Sequence, residues 1–598
     1  MNANTPNTPK PTTKSWQVAT GAALIASLAL AGCSATGSNL AASTSGANAA
    51  STSSSAAASS DSSASSTSLS YTKTGQKLDV KTHYSVKDSQ VDTSTATAVN
   101  LSSPSSTTGV SVENGVITIN AAGTYKLSGE YNGQIKVEVT KNDKVTLILD
   151  NATIANSSGA AINIVQADEV VLYTASGTTN TVSDGSSYSA TGEDDPDAAI
   201  YSKADLTLAG EGSLKVTGSY QEGIHTKDGL VIAGGTIDVT AKNTGIKGKD
   251  YVDILDGTVN VTAQQDGIKS TNSTDDNRGW TRMSGGTVTI SAGDDGFKAE
   301  HTLEISGGTL NVTKSNEGIE AQYVNILDGT VNVTSSDDGI NASYTDTTST
   351  SASSSAQTNQ GSQNAPGGMG QPPQGSNGQP PAKPGSNGSD SSSSQRGMGQ
   401  PPAGSNGGNS NGGGMGQPPA GGMGNGGPGG MGGGGGTFAV VDAAVNILGG
   451  TVTVNANGDG IDSNGTATLS GGTVTVNGPF TGGNTSLDTN GDLLLNGSTV
   501  VVANAGDMFE APASSSTSGY VKVTGSFSQG STVQVADSSG KVVANYKVSS
   551  SSAKLVMVSS SAITKGQSYT VYSTTSSVDA NATFVASGAT QVGTVTAS

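Results

Sequence analysis

Residues 230–247 read LVIAGGTIDVTAKNTGIK, and residues 252–269 read VDILDGTVNVTAQQDGIK. Both stretches place alternating apolar residues on either side of a glycine turn, and both carry another glycine ten residues further on. Alternation with period two predicts short, half-buried β-strands, and the glycines predict the turns between them. The two stretches begin 22 residues apart, which makes them copies of one structural unit.

The same unit recurs along much of the chain. Its turn doublet ends at Gly235, Gly257, Gly286, Gly308, Gly329, Gly450 and Gly472. The steps are 22, 29, 22, 21, 121 and 22 residues, and removing about 99 residues from the long step restores the period. One such unit cannot cover its own apolar face, whereas stacked copies can. The sequence therefore predicts an all-β fold, a right-handed parallel β-helix with about 22 residues per coil.

Composition divides the chain into parts with different predicted structures. Residues 1–32 join a basic start to a short apolar run, which predicts a lipoprotein signal peptide that ends at Leu30-Ala31-Gly32-Cys33. Lipidation is expected at Cys33, the only cysteine, so disulfides and thiolate metal sites are excluded. The Ser/Ala/Thr-rich composition of residues 33–69 predicts a disordered tether. We assign residues 70–344 and 437–515 to the β-helix, 345–436 to a disordered low-complexity Gly/Pro/Met/Ser insertion, and 516–598 to a C-terminal β cap or a small β domain.

Charge and hydropathy exclude two functional classes. The chain of 598 residues has 28 Lys+Arg and 47 Asp+Glu, a net charge of −19, and is 33% hydrophobic. A nucleic-acid binder needs a basic face, and a polytopic membrane protein needs repeated apolar runs of about 20 residues. Neither feature is visible in the sequence.

Acidic residues recur at one position of the repeat, directly before the glycine that lies ten residues after the turn doublet. We call this glycine the second glycine of the coil. Stacked coils place equivalent residues about 4.8 Å apart, and a row of oxygens at that spacing suits Ca²⁺. The alternative is ordinary turn chemistry, because Asp-Gly is a favoured turn dipeptide whatever the function. The predicted calcium ligands in this region are Asp266, Asp294, Asp295, Glu317, Asp337 and Asp338.

Basic residues recur two positions after the same glycine. Lys247, Lys269 and Lys298 form a strip that could hold the carboxylates of a uronate polymer together with calcium; a plain salt-bridge ladder is the alternative. The long coil between Gly257 and Gly286 adds Arg278 and Trp280 as sugar-binding candidates, although a lone tryptophan is as often a packing residue.

Three consecutive runs then point to a known family. They begin at Asp197 (DAAIYSKADLTLAG), Glu222 (EGIHTKDGL) and Thr244 (TGIKGKDYVDI). In this order they resemble the carbohydrate-binding β-helix family first described from a cellulolytic clostridium, over about residue 100 to the C-terminus. The resemblance implies a pectate-lyase-like parallel β-helix with calcium sites that binds cellulose or polygalacturonate-type glycans, without established catalysis. Asp228, Asp250, Asp266 and Lys247 match its recurring motif, so Asp228 and Asp250 join the predicted calcium ligands. The insertion departs from the motif.

We therefore predict a secreted, lipid-anchored protein on the extracellular face of the bacterial membrane that binds polysaccharide through a calcium-assisted β-helix face. Polysaccharide, and the membrane through Cys33, are the predicted partners, and the chain is expected to be a monomer that binds no nucleic acid. A calcium-dependent polysaccharide lyase, with one of the three lysines as base, is the enzyme alternative. A structural stalk or adhesin that recognises a protein is the other.

Overall fold

A computed structural model describes residues 75–344 and 439–598, apart from residues 190, 191, 193, 276, 481, 482, 507 and 550. The predictions for residues 1–69, including Cys33, and for residues 345–436 lie outside the described residues. Within the described part of the chain, no helix is long and apolar enough to cross a membrane.

The described residues form β-strands and two short 3₁₀ helices, η1 (Val86–Ser89) and η2 (Thr93–Thr95). The strands are β1 Thr97–Asn100, β2 Val110–Glu113, β3 Val116–Ile119, β4 Gly123–Asn132, β5 Gln134–Glu138, β6 Lys144–Asn156, β7 Ile162–Gln166, β8 Glu169–Thr174, β9 Thr179–Asp184, β10 Ala198–Ser202, β11 Asp205–Gly210, β12 Ser213–Gly218, β13 Glu222–Thr226, β14 Gly229–Ala241, β15 Ile246–Gly248, β16 Tyr251–Ala263, β17 Ile268–Ser270, β18 Trp280–Met283, β19 Thr287–Ser291, β20 Phe297–Lys298, β21 Thr302–Ile305, β22 Thr309–Lys314, β23 Ile319–Ala321, β24 Tyr323–Ile326, β25 Thr330–Thr334, β26 Ile340–Ala342, β27 Ala444–Ile447, β28 Thr451–Asn455, β29 Ile461–Ser463, β30 Thr466–Leu469, β31 Thr473–Asn477, β32 Leu487–Thr489, β33 Leu493–Leu495, β34 Thr499–Asn504, β35 Tyr520–Phe527, β36 Thr532–Ala536, β37 Val542–Lys547, β38 Ala553–Ser559, β39 Ser568–Thr574 and β40 Thr590–Thr596.

The strands stack as the repeat predicts. A typical coil contributes three short strands: one to a sheet of 13 strands that runs from β2 to β32, and two to a sheet of 23 strands. Apart from the β2–β3 hairpin, neighbouring strands of the 13-stranded sheet are parallel, so each coil lies on the one before it. The predicted all-β parallel β-helix is confirmed as a solenoid of about 13 turns. Its predicted right-handed winding stays a prediction.

Apolar ladders fill the interior of the solenoid. Ile232 pairs with Ile254, and the same ladder continues to Ile447 and Leu469. Each side chain along it is fully buried, because an apolar residue repeats at one phase of the coil. Ile326 pairs directly with Ile447, so the coils on either side of residues 345–438 stack as neighbours.

Both ends of the solenoid are covered by antiparallel strands. The β2–β3 hairpin closes the 13-stranded sheet at its start. At the other end β34 pairs with β38 in antiparallel fashion, and β35 also pairs with β38. A separate sheet of β37, β36, β39 and β40 packs on these strands through its own apolar cluster, which includes Phe527 and Val571. The C-terminal part is therefore a two-sheet cap that is continuous with the solenoid, and it removes an open edge.

Residues 75–89 form an element that the repeat analysis missed, and we call it the strap. The strap has no β-strand and runs along the outside of the 23-stranded sheet, against the direction in which the coils stack. Gly75 lies beside Asn446, the backbone N–H of Leu78 donates to Glu304, and Asp88 accepts a bond from Lys144.

The strap follows a nearly direct path and ends in the 3₁₀ helix η1. It passes a register ladder of nine outward positions: Thr146, Val171, Thr207, Val231, Asp253, Arg282, Glu304, Asn325 and Asn446. Eight steps of about 4.8 Å make about 38 Å, while the 13 residue steps from Gly75 to Asp88 reach about 45 Å at most. The strap therefore follows a direct path across many coils and buries polar side chains beneath it.

Candidate functional site

Two neighbouring columns of side chains run along one outer edge of the 13-stranded sheet. The acidic column consists of the residues that precede the second glycine of each coil: Glu222, Thr244, Asp266, Asp295, Glu317, Asp338 and Asp459. Backbone hydrogen bonds align the acidic column. The N–H of the glycine after each member donates to the backbone carbonyl of the next member, as Gly245 does to Asp266 at 3.0 Å. The mixed column consists of register partners: His225, Lys247, Lys269, Lys298, Glu320, Asn341, Asp462 and Asp488.

Glycine is required between the two columns because the coils approach closely there. A Cβ atom at Gly245 would lie 2.2 Å from Cγ1 of Val261 and 2.6 Å from the carbonyl oxygen of Gly267. The same contacts recur at Gly267, where Ile290 and the Gly296 carbonyl are the neighbours. The glycine fixes the turn, and the turn places an acid and a basic or polar residue on the same outer edge.

The lysines of the mixed column are engaged in ion pairs with the acidic column. Lys247 Nζ lies 3.5 Å from Glu222 Oε1, and Lys269 contacts Asp266. Lys298 Nζ lies 2.7 Å from Asp295 Oδ2 and also contacts Glu320. The structure therefore contains the salt-bridge ladder that the sequence offered as the alternative reading, with the lysine side chains between 22% and 28% exposed.

The ion pairs and the burial pull the pKa values of these groups in different directions. Burial alone would raise the pKa of Asp266, but the charge of Lys269 and its hydrogen bond outweigh burial and lower it. Burial dominates at Asp295 and raises its pKa to about 7. For Lys298, bonds to Asp295 and Glu320 outweigh burial and raise the pKa, so its amine stays protonated at neutral pH.

Two groups of carboxylates have oxygens close enough to share a metal ion. Asp266, Asp294 and Asp295 form one group, and Asp295, Glu317 and Glu320 form the other, each with its ligand atoms within 4.8 Å of one another. An all-oxygen donor set fits a hard cation such as Ca²⁺ or Mg²⁺. Lys269 and Lys298 already contact members of these groups, so a cation there competes with lysine.

Further along the columns, the described part of the chain gives the carboxylates no basic partners. In the described residues, no Lys, Arg or His forms an ion pair with Asp338, Asp459, Asp462 or Asp488. Burial, followed by mutual repulsion, raises the pKa of Asp462 to about 7 and that of Asp338 to about 6. Of the predicted calcium ligands, Asp337 and Asp338 belong to this part of the edge.

At the opposite end of the columns, buried His225 pairs with half-buried Asp197. His225 Nδ1 is bonded to Asp197 Oδ1, and Glu222 lies beside them. Burial, followed by repulsion from Asp197, raises the pKa of Glu222 to about 7, and its Oε2 has no hydrogen-bond partner in the described structure. Glu222 and His225 are only 2% and 3% exposed, which keeps them from direct contact with a polymer.

The remaining predicted site residues lie on a different face, under or beside the strap. Asp250 is buried and bonded to Asn272 at 2.8 Å and to Arg278, and Asp228 lies near the same arginine. Trp280 is 2% exposed and stacks on Tyr251 with ring centroids 4.5 Å apart. The structure thus does not bring these residues together with the two columns, and it places the Trp280 ring in packing rather than on an open surface.

A polar cluster beneath the strap was not anticipated from the sequence. Asp253 and Glu304 are completely buried, with Arg282 between them in the register. His83 of the strap bonds Tyr251 and Thr207 at 2.7 and 2.9 Å. The available signal was the run of charged residues at the centres of strands, where the fold otherwise places apolar side chains.

A surface groove of about 560 Å³ lies at another corner of the solenoid, and its lining includes Gly235, Gly257 and Gly286. The groove is present because the glycines at this corner have no side chains to fill it. Its titratable lining groups are Glu211, Asp256 and Tyr173, so it is a weaker candidate for chemistry than the two columns despite its size.

Comparison with known proteins gives a match over the part of the columns that precedes residue 345. Residues 113–361 match a family described as "Carbohydrate-binding domain-containing protein". A protein of that description from Acetivibrio thermocellus is 38% identical over 136 residues, which cover 22% of this chain and 48%, about half, of that relative. A solved structure of "the polysaccharide lyase-like protein from C. thermocellum", a gadolinium derivative, is 32% identical; the match covers 39% of this chain and 98% of that one, with a TM-score of 0.37. Over residues 113–361 the chain belongs to the family of carbohydrate-binding domain-containing proteins.

Proposed function

We propose that the chain binds polysaccharide through the outer edge formed by the acidic and mixed columns. Family membership supports a carbohydrate ligand, and the columns offer a long row of polar side chains at the repeat spacing of a solenoid. A linear polymer can contact several coils at once along such a row, so that individually weak contacts add.

The observation that carries the proposal is the position of the Asp266, Asp294 and Asp295 group beside Lys269 and Lys298. A uronate carboxylate can complete the coordination of a calcium ion at this group while a lysine provides a second charged contact. Calcium also offsets the repulsion that a chain of net charge −19 exerts on an acidic polymer. We therefore favour cellulose- or polygalacturonate-like glycans bound with calcium assistance.

The proposed location is the cell surface, with a lipid anchor at Cys33. Its support is the sequence Leu30-Ala31-Gly32-Cys33 at the end of an apolar run. Stable anchoring by this route needs more than one acyl chain.

Ion pairing makes binding a better proposal than a lyase reaction. A lyase base must be unprotonated, whereas the carboxylates around Lys298 raise its pKa. Lys247 and Lys269 are likewise paired with Glu222 and Asp266.

The test is retention of the purified chain on insoluble cellulose and in polygalacturonate gels, with calcium and with a chelator, while unsaturated uronate is monitored. We expect calcium-dependent retention without product. Product would establish the lyase, and a folded chain that is retained on neither glycan would favour a stalk or adhesin.

A triple variant tests the site itself. Asp266→Asn, Asp295→Asn and Lys269→Met together should abolish retention. The control changes Asp238→Asn, Asp256→Asn and Lys215→Met, three exposed residues outside the columns, and should leave retention unchanged. Equal retention of both folded variants would overturn the assignment.

A further inference from the structure

The groove at the glycine corner is a second surface with the dimensions of a binding site. It lies across five successive coils, from Tyr173 on β8 to Thr287 on β19. Four steps of about 4.8 Å give it a length of about 19 Å along the stack. Its volume of about 560 Å³ lies within the usual range of ligand sites. A short run of sugar units therefore fits in it along the solenoid axis.

The floor of the groove is a strip of backbone that side chains cannot fill. Gly257 and Gly286 have φ angles of 106° and 74°, in the left-handed region that favours glycine. A Cβ atom at Gly286 would lie 2.5 Å from the carbonyl oxygen of Gly257. The glycines thus keep the floor open, so a polymer can approach the backbone closely.

The side chains around this floor distinguish the groove from the rest of the corner. The glycine turn recurs at Gly308, but the lining of the groove stops at Thr287. Within the groove, half-buried Tyr173 supplies an aromatic ring, and exposed Glu211 and Asp256 supply carboxylates. An aromatic ring packs well on the apolar face of a sugar, and a carboxylate accepts bonds from two neighbouring hydroxyl groups.

The charges of the groove select against acidic polymers. Its described lining contains Glu211 and Asp256 but no lysine, arginine or histidine. Asp256 Oδ1 accepts the N–H of Gly257 at 2.7 Å, which holds this carboxylate at the edge of the floor. A uronate would meet two like charges here without a counter-charge, whereas the hydroxyl groups of a neutral sugar donate to them. The groove differs in this respect from the columns, where lysines are present.

A ladder of threonines continues the groove along the solenoid. Thr258 and Thr287 line the groove and are register partners. The partners that continue their ladder are Thr309, Thr330, Thr451 and Thr473. Their hydroxyl groups are uncharged and recur once per coil. A polymer that leaves the groove along the axis therefore meets further uncharged polar groups.

We propose that this groove binds an uncharged hexose polymer along the solenoid axis, with Tyr173 against a sugar ring and Glu211 and Asp256 bonded to its hydroxyl groups. The inference rests on the proposed function in that the ligand is a polysaccharide, but it gives the neutral chain a site separate from the calcium-assisted edge. Binding in the groove needs no cation. A groove of this length makes few contacts, so by itself it binds too weakly to retain the protein on an insoluble glycan through washing.

The experiment is a calorimetric titration of the full chain with cellohexaose in chelator, with hexagalacturonate as the acidic probe. Thr258→Tyr places a ring in the groove from an exposed strand position, away from the core. Thr451→Tyr makes the same change at an exposed position of the same ladder outside the groove and is the matched control. Tyr173→Leu keeps apolar bulk but removes the aromatic ring.

We expect the parent chain to bind cellohexaose equally in calcium and in chelator, and hexagalacturonate to leave that complex intact in chelator. Tyr173→Leu should weaken binding about tenfold through the loss of one aromatic contact. Thr258→Tyr should abolish binding, while Thr451→Tyr should bind as the parent does. Glu211→Gln and Asp256→Asn together should let hexagalacturonate compete, because amides still bond hydroxyl groups but do not repel carboxylates.

Equal binding by Thr258→Tyr and Thr451→Tyr would overturn the proposal. So would a parent chain that binds no cellohexaose, or one that binds hexagalacturonate equally well in chelator. The triple variant of the columns keeps the two proposals separate: cellohexaose should still bind to it, and loss of that binding would place the neutral sugar at the columns. Calcium-dependent retention in polygalacturonate gels should persist in Thr258→Tyr, and its absence from the parent would contradict the columns while leaving the groove unaffected.

Discussion

Arg282 holds the completely buried carboxylate of Asp253 with two bonds, Nε to Oδ1 at 2.9 Å and Nη2 to Oδ2 at 2.7 Å. The two residues are register partners on neighbouring coils, and the strap covers them. Arg282→Met should therefore cost about 3–5 kcal/mol of unfolding free energy, since it leaves a buried charge without its partner. Urea unfolding measures the loss, with the exposed Lys215→Met as the control. A loss below about 1 kcal/mol would mean that water reaches Asp253.

The glycines between the columns should tolerate no side chain. Gly245→Ala places a Cβ atom 2.2 Å from Val261 and 2.6 Å from a carbonyl oxygen, so the backbone must shift. We expect a loss of about 1–3 kcal/mol or more, as for overpacked cores. Gly593→Ala in β40, where a Cβ meets nothing within 4 Å, is the matched control. Equal melting temperatures for the two variants would contradict the close approach of the coils.

Stability should fall as pH rises through neutrality when no cation is present. Burial raises the pKa values of Glu222, Asp295 and Asp462 to about 7, well above the unfolded values of 4.5 and 3.8. The folded chain therefore holds more protons than the unfolded chain between about pH 4 and pH 7, and linkage makes unfolding easier as pH increases. In chelator, the melting temperature should be higher at pH 5.5 than at pH 7.5. Calcium should narrow the difference, and a higher melting temperature at pH 7.5 in chelator would refute the prediction.

The strap should control the environment of Trp280. The sequence has two tryptophans, Trp16 and Trp280, so a chain that lacks the predicted signal peptide reports only the latter. His83→Ala removes the strap's bonds to Tyr251, on which Trp280 stacks. We expect red-shifted fluorescence and faster quenching by acrylamide while the strand content stays constant. Tyr84→Phe, which loses only a bond to Ser89 within the strap, should leave the spectrum unchanged.

Periodicity was sufficient to predict the solenoid, the apolar ladders and the two columns, because each depends on residues that recur at one phase of a 22-residue coil. It was also sufficient to place Asp266, Asp294 and Asp295 together. The strap could not be predicted this way, since residues 75–89 do not repeat and the coil residues that they bond lie from 56 to 226 positions away. Trp280 was predicted to bind sugar and Asp250 to bind calcium, because a linear sequence does not reveal that the two residues are buried. The ion pairs of the lysines also depend on side-chain geometry, which spacing alone leaves open.

The strap should also set how the protein responds to mechanical force. A pull at Gly75 along the solenoid axis loads the contacts at Leu78, His83 and Asp88 together, in shear. These contacts are spread over the coils between Lys144 and Asn446. The force therefore acts on many coils at once and does not detach the first coil from the stack. A chain held from its N-terminal side against flow would thus share the load across many coils before any one of them unravels.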